Sequence, residues 1–264
     1  IMTLEEFMEI GYIRANSNQF FQKWQKSKEV VKGQLKKFDK PYICLSAGKD
    51  SVAMAFIIAE VADELNCKNN MFLWAHVSDA SFPGTIETLN KVSEKTGINL
   101  IINESPVSAF STISKKTAND VKKFGKQGYF FDAIDNCIEK YNRNLAFIGV
   151  RAYESRRRMR AVKAHGMAFT SHVPTFCNIC YPMAWYKLED VAAIITLYNA
   201  PMHPIYSKMD TSIGYSTKDE HWIRLGYITA RDLMEKGTIV FLKRNYPEQY
   251  NKLAEAFPEV KGYV

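Results

Sequence analysis

The chain reads as an α/β protein built on a doubly wound parallel sheet, preceded by N-terminal helices and followed by a smaller C-terminal region. Three observations predict this. Short apolar runs recur at 42–45, 71–77, 98–102 and 145–150, stretches with helical spacing separate them, and one turn of small and charged residues joins the first run directly to its helix. Unbroken apolar runs fill strands covered on both faces, and parallel strands require crossover helices between them. At 264 residues, 47% hydrophobic and 24% charged, the chain has enough apolar material for a substantial core, which excludes wholesale disorder.

Taken in order, residues 3–38 place Leu4, Phe7, Met8, Ile13, Phe20, Phe21, Trp24, Val30, Val31 and Leu35 on apolar stripes between charges, which predicts two helices. Pro41 ends that pattern, and Tyr42-Ile43-Cys44-Leu45 is the first strand, followed by a helix over 51–65. The second strand is 71–77 with a helix at 85–96, and the third strand is 98–102. Residues 111–128 are polar and carry Lys115, Lys116, Lys122, Lys123 and Lys126, a basic loop expected to lie over a site. A helix over 130–141 leads to the fourth strand at 145–150. Beyond about residue 170 the period loosens, with helices expected at 187–198, 230–236 and 247–256. The expected units are N-terminal helices over 1–40, a nucleotide-binding domain over 41–172, and a region over 173–264 that completes the site.

Composition narrows the partners. Thirty-five Lys and Arg against 28 Asp and Glu leave +7, which suits a polyanion (nucleotide or nucleic acid) or an acidic protein, and equally serves solubility. No apolar run reaches the ~20 residues that cross a bilayer, and Glu5 and Glu6 stand where a signal peptide would carry bases, so no membrane partner and a cytoplasmic location are expected. Five cysteines are an odd number in a chain of this length, which argues against a disulfide scaffold.

The chemistry begins at Ser46-Ala47-Gly48-Lys49-Asp50-Ser51, between the first strand and its helix. Backbone N–H groups converge at a helix N-terminus and favour an anion, so pyrophosphate is the natural guest. Gly48 lets the backbone approach the ligand, Ser46 and Ser51 offer hydroxyls, Lys49 supplies charge, and Asp50 is placed to orient a magnesium ion. The glycine spacing and Gly-Lys-Ser ending of a Walker loop are missing.

This segment resembles the Ser-Gly-Gly-Lys-Asp-Ser signature of the PP-loop ATP pyrophosphatases, with Ala47 in place of one glycine. Further along, Ser78-Asp79-Ala80-Ser81-Phe82-Pro83-Gly84-Thr85 is similar to the Asp-Thr-Gly-x-x-Phe-Pro-Glu-Thr segment of sulfonucleotide (PAPS) reductases, and Gly149-Val150-Arg151-Ala152-Tyr153-Glu154-Ser155-Arg156-Arg157-Arg158 to their Gly-x-Arg-x-x-Glu-Ser-x-x-Arg. Pro182-Met183-Ala184-Trp185, Asp190-Val191 and Pro201-Met202-His203-Pro204-Ile205-Tyr206 are similar to later elements of the same family. The resemblance implies an adenine nucleotide alpha-hydrolase-like (HUP-type) sheet that binds ATP with Mg2+. It implies Ser46, Ala47, Gly48, Lys49, Asp50, Ser51, Asp79, Gly149 and Arg151 as binding residues, and Lys49, Asp50, Arg151 and Arg158 as catalytic ones. Physically, Arg151 and Arg158 suit charge building on the α-phosphate and the leaving pyrophosphate, with Glu154 holding one of them in place. Arg156, Arg157 and Arg160 read as a solvated helix face, while His203 and His221 read as structural rather than substrate-touching.

The sequence also departs from the reductases. Their cysteine nucleophile sits in a terminal Glu-Cys-Gly-Leu-His motif, whereas no cysteine follows Cys180 here, and Thr211-Ser212-Ile213-Gly214-Tyr215 carries Tyr215 where they have cysteine. What remains is Cys177-Asn178-Ile179-Cys180, a CxxC that can hold zinc or part of an iron–sulfur cluster, pass persulfide sulfur, or be two incidental thiols, with Cys137 the easiest third ligand. Among relatives of this layout, the chain is closest in kind to the ATP pyrophosphatase component of DNA phosphorothioation systems. That likeness implies a cysteine desulfurase and DNA as partners and leaves a homodimer open. A reductase-like enzyme using Cys177 or Cys180, and an ATP-binding subunit without turnover, stand as the alternatives.

Overall fold

A computed structural model describes residues 3–105, 108–110, 130–172, 177–208, 225, 228 and 238–263. The basic loop at 111–128, the 211–215 segment, His221 and the expected helix at 230–236 lie outside the described residues.

Two helices open the fold. Helix α1 (Leu4–Ala15) starts at a capping box in which Thr3 and Glu6 satisfy each other's backbone N–H, and α2 (Asn18–Lys37) is capped by Ser17. Then come β1 (Pro41–Cys44), α3 (Lys49–Glu64), β2 (Leu73–Val77), α4 (Thr85–Thr96), β3 (Leu100–Glu104), α5 (Phe130–Lys140) and β4 (Leu145–Phe147). After β4 follow α6 (Arg156–His165), β5 (Ala168–Ser171), β6 (Cys177–Cys180), α7 (Leu188–Leu197), α8 (Ile205–Lys208), α9 (Thr238–Asn245) and α10 (Pro247–Ala256).

The sheet runs β3-β2-β1-β4-β6-β5, parallel throughout except for the antiparallel edge strand β5. The four strands expected from the apolar runs are present, and β5 and β6 add to them, with β6 lying past residue 172. Strand alternation divides the core between the two faces. On one side Ile43, Leu73, Leu145, Phe147 and Cys180 pack with α3, which is buried nearly all round, and with α7. On the other, Tyr42, Trp74, Ala146 and Cys177 pack against Ala133, Cys137 and Ile138 of α5.

The N-terminal helices are tied to this core by one carboxylate. Asp190, fully buried in the first turn of α7, pairs with Arg14 at 2.7 Å and Lys23 at 2.5 Å and accepts the Lys187 N–H. The Asp-Val element of the sequence is therefore a structural staple, satisfied as a buried charge must be. No described helix is long and apolar enough to cross a membrane.

Candidate functional site

The 46–51 loop lies at the carboxyl end of β1, where the chain turns into α3. To one side of β1 is β2 and to the other β4, whose crossovers leave in opposite directions, so the loop sits at the switch point where open α/β sheets hold ligands. A cavity of about 410 Å³ opens there, within the range of small-molecule sites. Its walls include Ser46, Gly48, Asp50 and Ser51 from the loop, Trp74 and His76 from β2, Gly149, Glu154 and Arg158 beyond β4, and Tyr206.

The loop leaves the helix N-terminus without a side-chain cap, an arrangement that favours an anion. Gly48 is the N-cap of α3 and has no side chain to cap it, so the first-turn amides, which have no intrahelical acceptor, depend on other partners. The Lys49 N–H finds one in the Tyr206 hydroxyl at 3.0 Å. Ser51 Oγ accepts from the Ser46 N–H at 3.1 Å, donates to the Gly48 carbonyl and lies 3.0 Å from Ser46 Oγ, which closes the loop into a ring. Ala47 takes φ 58°, a left-handed conformation that glycine adopts without strain. Gly149 is where the chain beyond β4 meets α3: a Cβ there would come within 3.1 Å of the Ser51 backbone, tighter than side chains ordinarily pack, so glycine suits the close approach.

The charged residues assemble differently from the sequence expectation. Lys49, only 2% exposed, turns its ammonium to Asp50 Oδ2 at 2.9 Å, and Arg151, only 1% exposed, places Nε 2.5 Å from Asp50 Oδ1. Burial alone would push the Asp50 carboxyl up, but Lys49 and then Arg151 hold it well below the usual carboxylate range. Asp50 is thus the member of the trio that faces the cavity, with the two cations behind it. Both its oxygens are engaged, and no group of three His, Cys, Asp or Glu among the described residues is placed to hold a metal. Asp50 is the carboxylate of the loop on the cavity wall, so it is the residue that would meet a magnesium ion brought in with a ligand.

Glu154 holds Arg158 by an ion pair along the first turn of α6 and also accepts the Arg151 N–H at 3.1 Å, so the Gly-x-Arg-x-x-Glu-Ser-x-x-Arg spacing brings both arginines to one carboxylate. Arg158 alone of the two lines the cavity. Asp79 lies elsewhere: its carboxylate takes the Ser108 hydroxyl and, at 2.8 Å, the Ala109 N–H, and it does not line the cavity. His203 is 1% exposed, accepts the Ile205 N–H at Nδ1 and sits 3.2 Å from Thr85 Oγ1 at Nε2. Burial pushes its pKa down to about 4, so it is a neutral strut between the Phe-Pro-Gly-Thr turn and the Pro-x-x-Pro segment. Tyr206, brought in by α8, and the Trp74 and His76 wall were not singled out from the sequence. Tyr206 was legible only as the end of its motif.

The CxxC expectation is corrected by the strand it occupies. Three residues apart on β6, Cys177 and Cys180 point to opposite faces and are buried in separate clusters, Cys177 against α5 and Cys180 against the α3 side. Burial pushes their thiols up to about 11 and about 12. The pair does not fit zinc, an iron–sulfur cluster or a persulfide relay. Cys44 is the described thiol on the cavity wall, and burial raises its pKa as well.

The phosphoadenosine phosphosulfate reductase domain model matches residues 40–219. No curated protein matches the chain. Among solved structures, the phosphate complex of Candida auris PAPS reductase is similar with a TM-score of 0.51 and 14% identity over 81% of this chain and 96% of that one. The ATP complex of Candida glabrata FMN adenylyltransferase gives 0.55 and 13% over 81% and 71%. The tRNA thiolase of Methanococcus maripaludis, solved with its 4Fe-4S cluster, gives 0.52 and 15% over 93% and 81%. At such identities these structures share the fold, while the matched domain spans well over half the chain and carries its motifs in order. The chain belongs to the phosphoadenosine phosphosulfate reductase domain family.

Proposed function

We propose that the protein is an ATP pyrophosphatase that cleaves ATP to AMP and pyrophosphate in order to adenylate an acceptor for sulfur transfer. The observation that carries this reading is the uncapped N-terminus of α3 beneath a nucleotide-sized cavity, with Lys49, Asp50 and Arg151 locked together at its base. An acceptor oxygen attacks the α-phosphorus, a new P–O bond forms, the bond to the β-phosphate oxygen breaks, and pyrophosphate leaves. The terminal sulfur of a persulfide then attacks the activated centre, AMP leaves with the bridging oxygen, and a thiol reductant cleaves the remaining S–S bond. The loop amides and the Ser46 and Ser51 hydroxyls hold the departing phosphates. Arg158, the guanidinium facing the cavity, offsets the charge that develops. Lys49 and Arg151 keep Asp50 ionised and the loop in shape.

The DNA backbone, as in phosphorothioate modification, is the acceptor that the sequence resemblance favours, with a cysteine desulfurase as sulfur source. The reductase alternative asks for a reactive thiol from Cys177 or Cys180, and both are buried with raised pKa values.

The test is product analysis with α-labelled ATP, a desulfurase and candidate nucleic acids. Labelled AMP and free pyrophosphate are expected, and Arg158→Ala lowers kcat/KM by about 100-fold or more. Sulfite released from a sulfonucleotide would replace this reading with reductase chemistry. Nucleotide binding without release under every combination would make the protein a non-catalytic subunit.

A further inference from the structure

Helix α6 carries the densest run of exposed, unpaired cations among the described helices. Residues 155–188 contain no Asp or Glu, and Arg156, Arg157, Arg160 and Lys163 are exposed without an ion pair among the described residues. On other helices several surface lysines are paired, Lys32 with Glu64, Lys91 with Glu87 and Lys252 with Glu248, and the unpaired ones come at most two together, as Lys36 and Lys37 do at the end of α2. Arg156, Arg160 and Lys163 follow i, i+4, i+7 spacing, a single stripe about 10 Å long. The helix begins at the cavity, since Arg158 of its first turn is part of the wall.

Aromatic rings stand at both ends of that stripe. Just before α6, Tyr153, next in sequence to Glu154 of the cavity wall, meets Trp185 edge to face at 6.4 Å, and Trp185 is 36% exposed. At the far end, exposed His165 stacks on Phe169 of β5 at 4.9 Å between ring centres. Unpaired cations interleaved with aromatic faces bind phosphates and unstacked bases together. A duplex hides its base faces, and a cavity of about 410 Å³ has no room for one.

We propose that the outer face of α6 and the adjoining β5 form a track for single-stranded nucleic acid that leads an acceptor phosphate into the cavity. This rests on the adenylation reading for its destination, whereas the track itself rests on the charge and aromatic pattern.

The test uses the full chain and fluorescence anisotropy with mixed-sequence DNA and RNA strands, a DNA duplex, inorganic polyphosphate and polyglutamate, each over a salt series. Either strand is expected to bind more tightly than the duplex, and the one preferred identifies the acceptor. The R156A/R160A/K163A variant weakens strand binding at least about tenfold and lowers the salt slope by about 2. His165→Ala with Trp185→Ala weakens strand binding about fivefold or more and leaves polyphosphate binding unchanged. ATP binding, measured on the same preparations, stays at the wild-type level in both variants, which separates loss of the track from loss of the fold. Equal binding of duplex or polyphosphate, tight binding of polyglutamate, or a triple variant that binds like the wild type would overturn the track. Strand binding without any ATP binding by the wild type would sink the adenylation reading and leave the track standing.

Discussion

Two short motifs occupy neighbouring places in the sheet and fare in opposite ways. The 46–51 loop follows β1, and Cys177-Asn178-Ile179-Cys180 is β6, separated from β1 only by β4. In the loop the chain leaves the strand and turns, so Lys49, Asp50 and, from beyond β4, Arg151 converge within ion-pair distance. In β6 the pleat throws alternate side chains to opposite faces, so two thiols at a metal-ligand spacing end up in separate cores. Residues close in sequence thus converge where the chain turns and diverge along a strand. The element decides what a motif can do.

The largest expected break of this contrast is Asp50→Ala. It leaves Lys49 and Arg151 buried without their shared carboxylate and should cost about 3–5 kcal/mol in urea unfolding. A loss below about 1 kcal/mol would mean that the loop is not held by these pairs.

Replacing Cys177 and Cys180 by alanine is the matching probe of β6. Each should cost about 1–2 kcal/mol, and the two should add because the thiols lie in separate clusters. Bound zinc or iron in the wild type that disappears from the double variant would overturn the divergence argument.

A finer probe is pH. The His203 pKa is lowered from 6.5 to about 4 in the fold, so the unfolded chain takes up its proton first. Its contribution is full above the unfolded value and is lost as pH falls through the folded one. Acid lowers stability in that window, and His203→Gln should flatten the slope of unfolding free energy there. An unchanged slope would assign the acid sensitivity to another group.

Smallest is Ala47→Gly. Relief of the left-handed φ of 58° favours the variant by up to about 1 kcal/mol, partly offset by the extra freedom of glycine in the unfolded chain. A higher urea midpoint with unchanged slope would show it.

Much of the fold was legible from particular residues. The apolar runs around Ile43, Leu73, Ile101 and Ala146 marked β1 to β4, and the helix expected at 85–96 spans the residues of α4. Strand β6 was missed because its cysteines were read for chemistry, and β5 because Ala168-Phe169-Thr170-Ser171 is a half-exposed edge with little apolar signal. In the site, Glu154 holding Arg158 was readable from helical spacing of i, i+4. The Asp79 carboxylate bonded to Ser108 and Ala109, and Tyr206 receiving the Lys49 N–H, were not, since each joins segments far apart in sequence.

By itself the sequence determined the alternation of strands and helices, the position of the 46–51 turn and the family, because periodicity and contiguous motifs are local properties of the chain. Only the tertiary structure decided which charges meet. Lys49 and Arg151 share Asp50, and the two thiols of β6 part, because burial, strand pleat and the order β3-β2-β1-β4-β6-β5 set distances that sequence separation does not encode.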